Sequence, residues 1–199
     1  MHRTASILAA IVVTAAAQAA EPEAAPERGL NDLLGGATWA ERRLTITAGL
    51  VDLDVDGANG DQRSGYAAVT GQALAGYRFN DKSPAGGILG LGLSANFWRV
   101  HDDVHLWAVA PYAVGIAGVY ADINDRLRGQ LTFNAGPGLS YVNGDGGSDF
   151  GFGWTWGTEA TLAITQGDSR GLGVGIGYAE QRLDEFEQQG VYVAITIGL

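Results

Sequence analysis

The sequence predicts an all-β fold, an eight-stranded antiparallel up-and-down transmembrane β-barrel. Eight segments between Leu44 and Leu199 alternate large apolar residues with small or polar ones, which is the side-chain period of a β-strand. The apolar faces are wide bands of Leu, Ile, Val and aromatic residues, whereas the opposed faces carry mainly Gly, Ser, Thr, Asn and Gln. That distribution suits lipid outside and a polar lumen inside. A closed barrel is the β structure that pairs every backbone group in lipid.

Composition narrows the class of protein. The 199 residues suffice for one β domain. A hydrophobic content of 46% with only 17% charged residues excludes a disordered chain. The net charge of −10 argues against a nucleic-acid partner, and the absence of cysteine excludes disulfides and thiolate metal sites. The 31 glycines are expected where a side chain would be in the way.

The N-terminal residues predict export. Residues 1–19 have a basic start, an apolar run and the small residues Ala17-Gln18-Ala19 before a cleavage point, which is the pattern of a signal peptide. Residues 20–43 are interpreted as a periplasmic linker, with a short helix possible within Arg28 to Arg43. Residues 44–199 form the predicted barrel. The predicted location is the cell outer membrane of a Gram-negative-type bacterium.

The first four predicted strands differ in clarity. The first alternates aliphatic residues with threonine and glycine. The second ends in the turn-forming run Asn80 to Pro84, and the third places its leucines on one face. The fourth is ambiguous, because both its faces are apolar and Pro111 interrupts its hydrogen-bond donors. Their predicted bounds are Leu44–Val55, Gly65–Phe79, Gly87–Arg99 and His105–Ala121.

The last four predicted strands are more regular. The sixth sets a row of aromatic and aliphatic residues against glycine and threonine, and the seventh alternates aliphatic residues with four glycines. The bounds of the fifth to eighth are Leu127–Val142, Phe150–Thr165, Gly171–Tyr178 and Val191–Leu199, and Gln181 to Gln189 is interpreted as an acidic loop. The eighth strand is expected to close the barrel against Leu44 to Leu50. Turns at 80–85, 122–125 and 166–170 are predicted on the periplasmic side.

Polar residues on the lumen faces are expected to form a network of ion pairs and amide hydrogen bonds, because buried charges need partners. Its predicted members are Gln72, Arg78, Arg128, Gln130, Asn134 and Glu159. Such a network could plug the barrel or line a narrow ion path, and both interpretations stay open.

Outward aromatic residues near the strand ends predict the girdles that mark the membrane interfaces. These residues are Tyr77, Phe79, Phe97, Tyr141, Phe150, Phe152, Trp154 and Trp156. Outer-membrane lipids are therefore the expected partners.

Two motifs suggest metal chemistry weakly. Asp52, Asp54 and Asp56 resemble the first half of a calcium loop, but Arg63 stands where the closing glutamate is needed. His101 and His105 lie four residues apart, a spacing that converges on one ion in a helix but not in a strand or loop. The expectation is no metal and no cofactor.

The chain resembles the small eight-stranded outer-membrane barrels of the OmpA, OmpX and opacity-protein type. The resemblance lies in the signal sequence, the run Ala75-Gly76-Tyr77-Arg78-Phe79-Asn80 before a periplasmic turn, and the alternating terminal strand. It implies export to the outer membrane and insertion by the barrel assembly machinery. A monomer is expected. The chain departs from the family in ending at Leu199, where an aromatic residue is usual.

Three functions are considered. The preferred hypothesis is a non-enzymatic structural or surface-interaction protein. The second is a narrow pore for ions or small solutes. The third is a lipid-modifying enzyme, which would need a histidine base, and the mature chain offers only His101 and His105. A soluble, lipocalin-like barrel is the alternative fold.

Overall fold

The structure is a computed structural model that describes residues 36–55, 62–100, 106–144, 147–164, 171–183 and 186–199. These residues form eight strands: β1 Trp39–Val55, β2 Gln62–Arg78, β3 Ala85–Val100, β4 Leu106–Asn124, β5 Leu127–Gly144, β6 Gly147–Ile164, β7 Leu172–Leu183 and β8 Phe186–Gly198. No helix in these ranges is long and apolar enough to cross a membrane.

The eight strands close into one ring in chain order, each antiparallel to both neighbours. The predicted fold class is confirmed, and this ring is the architecture that the family resemblance implies. The predicted closure is confirmed too, because β8 pairs with β1 from Leu44↔Ile197 to Leu50↔Val191.

The register determines the geometry of the barrel. The stagger of the barrel is found by stepping from each residue to its register partner on the next strand until β1 is reached again. Starting at Thr45, the path returns to β1 at Val55, so the stagger is ten residues. The path passes through Thr70, Ser94, Tyr112, Gly138, Gly153, Leu183 and Phe186. Eight strands with this stagger tilt by about 40° and enclose a backbone radius of about 8 Å. Such an interior is narrow enough for side chains to fill.

The two ends of the barrel differ. The turn end holds the connections 79–84 and 125–126, the start of β1 and Leu199. The predicted turn after β2 is present there, where Ser83 donates its backbone N–H to the Asn80 carbonyl oxygen at 3.0 Å. The loop end is the opposite end, where residues 56–61, 101–105, 145–146 and 184–185 connect the strands.

The apolar surface lies on the outside of the ring. On β3, Leu89, Leu91 and Leu93 are 58%, 71% and 72% exposed, whereas inward Ile88 is 1% exposed. A soluble barrel would have the opposite arrangement, with its largest apolar side chains inside. The exterior therefore suits a hydrocarbon solvent.

Several boundaries differ from prediction. Strand β4 continues to Asn124, through most of the predicted turn at 122–125. Strand β1 begins at Trp39, within the predicted linker, because Glu41 and Arg43 continue the inward phase of the strand. The segment Gln181 to Gln189 is mostly strand rather than loop: β7 runs to Leu183, and β8 begins at Phe186. The predicted signal peptide, His101 and His105 lie outside the described residues.

Candidate functional site in the barrel lumen

Arg43 is the centre of the polar network on the turn-end side of the lumen. Its side chain is 2% exposed. The guanidinium donates through Nε to the Gln72 amide oxygen and through one terminal nitrogen to Gln130 Oε1 at 2.7 Å. Glu41 lies 3.9 Å away, and Glu159 contributes a second negative charge that acts on the guanidinium. Arg43 therefore joins β1, β2 and β5 across the interior.

Sequence reasoning missed Arg43. The signal that would have found it is its spacing, since Arg43 is two residues before inward Thr45 and four before inward Thr47. A charged residue that has the same phase as the inward threonines continues the alternation of the strand, so it does not mark the strand's beginning. Two of the predicted network residues, Gln72 and Gln130, are the side chains that Arg43 contacts.

Glu159 forms a second polar group, on β6. Its side chain is 5% exposed, and it accepts hydrogen bonds from Thr161 Oγ1 at 2.8 Å and from the Tyr192 hydroxyl at 3.3 Å. Tyr192 reaches Glu159 from β8 across β7. Gly177 makes this possible, because it is the register partner of both residues and its missing side chain leaves room for the ring.

A cavity of about 40 Å³ lies between these groups. Its lining includes Gln72, Asn134, Glu159, Tyr192 and several hydroxyl groups of inward Ser and Thr residues. A water needs about 10–15 Å³ of such space, so the cavity could hold a few waters. The predicted residue Asn134 thus faces the cavity beside Glu159 without being bonded to Arg43.

Large inward side chains lie over glycines of the neighbouring strand. A Cβ added at Gly177 would lie 2.3 Å from Cζ of Tyr192, and one added at Gly138 would lie 2.3 Å from a ring carbon of Tyr112. In each pair the glycine is the direct register partner of the ring. The glycines on the lumen face therefore hold rings that fill the interior, and they do not leave an open channel.

Arg128 belongs to a separate cluster at the turn end. It forms an ion pair with Asp122 at 2.7 Å, and its guanidinium lies 4.4 Å from the ring centroid of Trp39 and 4.9 Å from that of Tyr120. The two rings meet edge to face at 5.3 Å. This cluster closes the turn end of the lumen.

Arg78 does not join the lumen network, which corrects the prediction. It is the last residue of β2, and its side chain is exposed. Its backbone N–H is bonded to Thr38 Oγ1 at 3.0 Å. A side chain with inward phase at the last residue of a strand lies at the rim of the barrel, beyond the enclosed lumen. The Arg78 guanidinium therefore reaches solvent.

Toward the loop end, buried polar residues lie in a segment that the sequence pattern predicts to be a loop. Gln181 and Gln188 face each other across β7 and β8 and are 1% and 0% exposed. Outside them, Arg182 pairs with Glu180 at 2.9 Å and with Glu187 at 3.3 Å. Described side chains therefore fill the lumen toward both ends, and the cavity of about 40 Å³ remains at its centre.

The predicted interface aromatics all lie on the outer face. Phe79, Phe150, Phe152, Trp154 and Trp156 are exposed, and Tyr77, Phe97 and Tyr141 are half-buried. Tyr77 and Phe79 lie near the turn end, whereas most of the others lie toward the loop end. Several are in contact, such as Tyr141 with Phe150 at 4.8 Å between centroids.

The metal candidates do not form a centre within the described ranges. Asp52 is exposed, the side chain of Asp54 and all of Asp56 lie outside what the structure describes, and His101 and His105 lie there as well. The described residues contain no group of three or more His, Asp or Glu side chains that could hold an ion.

Comparisons with known proteins give structural likeness only. No family model and no curated protein matches the sequence. The attachment invasion locus protein Ail of Yersinia pestis shares 16% identity and a TM-score of 0.42, with 81% of this chain and 99% of Ail covered. Neisserial surface protein A shares 12% identity and a TM-score of 0.48, with 80% and 99% covered. At these values the likeness supports no inference about activity or partners.

Proposed function

We propose that the chain is a monomeric outer-membrane barrel with a closed lumen and a non-enzymatic role, either structural or in surface interaction. The observation that supports this most directly is the filled interior. Arg43 and its amide partners cross the lumen, inward rings lie over glycines, and the space left at the centre is about 40 Å³. A wall of this kind separates two compartments and presents short connections at the loop end.

Membrane placement is supported by the exterior. Exposed large apolar side chains occur on every strand of the ring except β2, from Ile46 on β1 to Ile197 on β8. In water such a surface would drive association, and in a bilayer it is the solvated surface. Export through the predicted signal peptide, and insertion by the barrel assembly machinery, are parts of the same proposal.

The test is a planar-bilayer recording of the refolded protein. The expected result is insertion without steady single-channel steps, because the described side chains fill the lumen apart from the central cavity. Quenching of the exposed tryptophans Trp154 and Trp156 by lipids that carry doxyl groups on their chains provides the control for insertion. Quenching together with steady steps would overturn the closed-lumen proposal, whereas absence of quenching would overturn the membrane placement.

A narrow pore is the second candidate, and the central cavity is the observation that favours it. Glu159 and Asn134 line that cavity, so a conducting state would pass close to a carboxylate. Steady steps with cation preference that is lost in Glu159→Gln would support this function.

The enzyme hypothesis has its own test: His101→Ala and His105→Ala should leave the lipid composition of the host membrane unchanged, and loss of a modified lipid would revive it.

A further inference from the structure

Two prolines lie within membrane-spanning strands, and both face the same seam. Pro111 is in β4 and Pro137 is in β5. The β4–β5 ladder skips the pairs that would contain them, continuing from Val109↔Tyr141 to Tyr112↔Gly138 and then to Gly115↔Ala135. The other seven ladders run without an interior gap through their described lengths.

The gaps follow from the chemistry of proline. In this register Pro111 stands opposite Leu139, and Pro137 stands opposite Ala113. Proline has no N–H, so the carbonyls of Leu139 and Ala113 each lose the amide that would bond them across the seam. On their other sides both prolines keep their pairs, Ala95↔Pro111 and Pro137↔Trp154. A closed barrel has no edge strand to place a proline on, so both losses fall on an interior seam.

The wall is thin at this seam. Outside, Pro111, Ala113 and Pro137 are exposed and have short side chains. Inside, Ala110 is 0% exposed, and Gly136 is so close to β4 that an added Cβ would lie 1.8 Å from the Ala113 carbonyl oxygen. In place of the missing hydrogen bonds the seam is covered by side-chain contact alone, from outward Leu139 on one face and from the Tyr112 ring over Gly138 on the other.

The seam also lies beside the interior space of the barrel. Tyr112 is 1% exposed behind it, and its hydroxyl forms no hydrogen bond with the described residues. Val114 on β4 and Asn134 on β5 are close to the gaps and line the central cavity. A separation of the two strands would therefore join the lipid phase to the interior next to the Tyr112 ring.

We propose that the β4–β5 seam is a lateral opening through which a single acyl chain of a membrane lipid reaches the lumen beside Tyr112. The inference rests on the proposed membrane placement. An acyl chain is the occupant because most groups around the gaps are apolar, namely Ala110, Ala113, Val114 and the two proline rings. The polar neighbours, Ser140 and Asn134, are uncharged. A lipid headgroup would find no charged side chain at this level of the two strands.

The first test measures amide hydrogen exchange in lipid nanodiscs. Opening exposes the Ala113 and Leu139 amides, which should exchange faster than amides at the middle of the β2–β3 seam. The double variant Pro111→Ala and Pro137→Ala restores two donors. At about 1 kcal/mol per hydrogen bond and 1.4 kcal/mol per factor of ten, it should slow this exchange about thirtyfold. Pro84→Ala, in the exposed turn, is the matched control and should change nothing. Equal exchange in both seams, or no slowing in the double variant, would overturn the proposal.

The second test locates the acyl chain. Lipids with a doxyl group on the chain should broaden the ring resonances of Tyr112 severalfold more than those of Tyr66, an inward tyrosine beside unbroken ladders. The double proline variant should remove the difference. Broadening of outward Leu91 without excess broadening at Tyr112 would overturn the lateral opening alone. Absence of broadening at Leu91 would overturn the membrane placement on which it rests.

Discussion

Replacing Arg43 by methionine should destabilise the barrel more than any substitution of a charged residue on its outer face. The change removes two hydrogen bonds from a charged donor and leaves the carboxylates of Glu41 and Glu159 without the cation between strands. Hydrogen bonds to charged groups contribute about 1.5–3 kcal/mol each, and loss of one partner of a buried pair costs about 3–5 kcal/mol. The side chain is 2% exposed, so solvent screening is slight, and methionine retains the apolar stem. We expect the free energy of unfolding to fall by about 3–5 kcal/mol.

The assay is urea-induced unfolding in lipid vesicles, followed by tryptophan fluorescence. The matched control is Arg42→Met, because Arg42 is the next residue and has the opposite phase in β1. The control should keep the stability of the wild type within about 1 kcal/mol. A loss below about 1 kcal/mol for Arg43→Met would refute the bridging role of Arg43.

A double variant isolates the charge. Adding Glu159→Gln to Arg43→Met removes the carboxylate that the first change leaves unbalanced. If the two groups interact, the double variant should be more stable than the sum of the single effects predicts, by about 1 kcal/mol or more. Strict additivity would show that Arg43 acts through Gln72, Gln130 and Glu41 and not through Glu159.

Three further predictions use the same unfolding assay. Gly177→Val should displace Tyr192 from Glu159 and lower the free energy of unfolding by about 2–4 kcal/mol, through overpacking and a lost hydrogen bond. The control is Gly71→Val, which should cost less than about 1 kcal/mol because an added Cβ there meets nothing within 4 Å. Equal costs would show that the room above Gly177 is not used. Leu91→Arg, at an outward position that is 71% exposed, should cost about 2–4 kcal/mol in a bilayer, and an unchanged stability would exclude lipid contact there. Arg128→Gln should cost about 1–2 kcal/mol and alter the near-ultraviolet circular dichroism of the rings it contacts, and an unchanged spectrum would contradict the cluster at the turn end.

The fold class was predictable because the face of a strand is a local property. Alternation along β3 is enough to assign Leu89 and Leu91 to the outside, and the structure confirms that assignment. The closing strand could be identified for the same reason, since its alternation is regular over nine residues from Val191 to Leu199. Such assignments need no knowledge of the neighbouring strands.

The lumen was harder to predict because a polar interior removes the contrast between strand and loop. Arg43 was assigned to a linker and Gln188 to a loop, since polar runs usually mark chain outside the strands. In this barrel both are inward residues with at most 2% exposure. Arg78 shows the converse error, because the correct phase at the end of a strand still leaves the charge in solvent. Whether such a residue lies within the lumen or beyond its end depends on its position along the barrel axis. That position is set by the register between strands, which alternation along one strand does not specify.

Register is the information that the alternating pattern lacks, and the lumen shows a way to obtain it. A slip of two residues between β7 and β8 would keep every side chain on its face but would move Tyr192 from Gly177 to Gly175 or Ala179. The first pairing would take its hydroxyl away from Glu159, and the second would place the ring against a methyl group. The observed pairing is the one in which the ring has room and the hydroxyl has an acceptor. Tyr112 over Gly138 obeys the same rule across β4 and β5. Inward rings should therefore be matched to glycines of adjacent strands before the register of a narrow barrel is assigned, because steric room at the partner position discriminates among registers that alternation leaves equal.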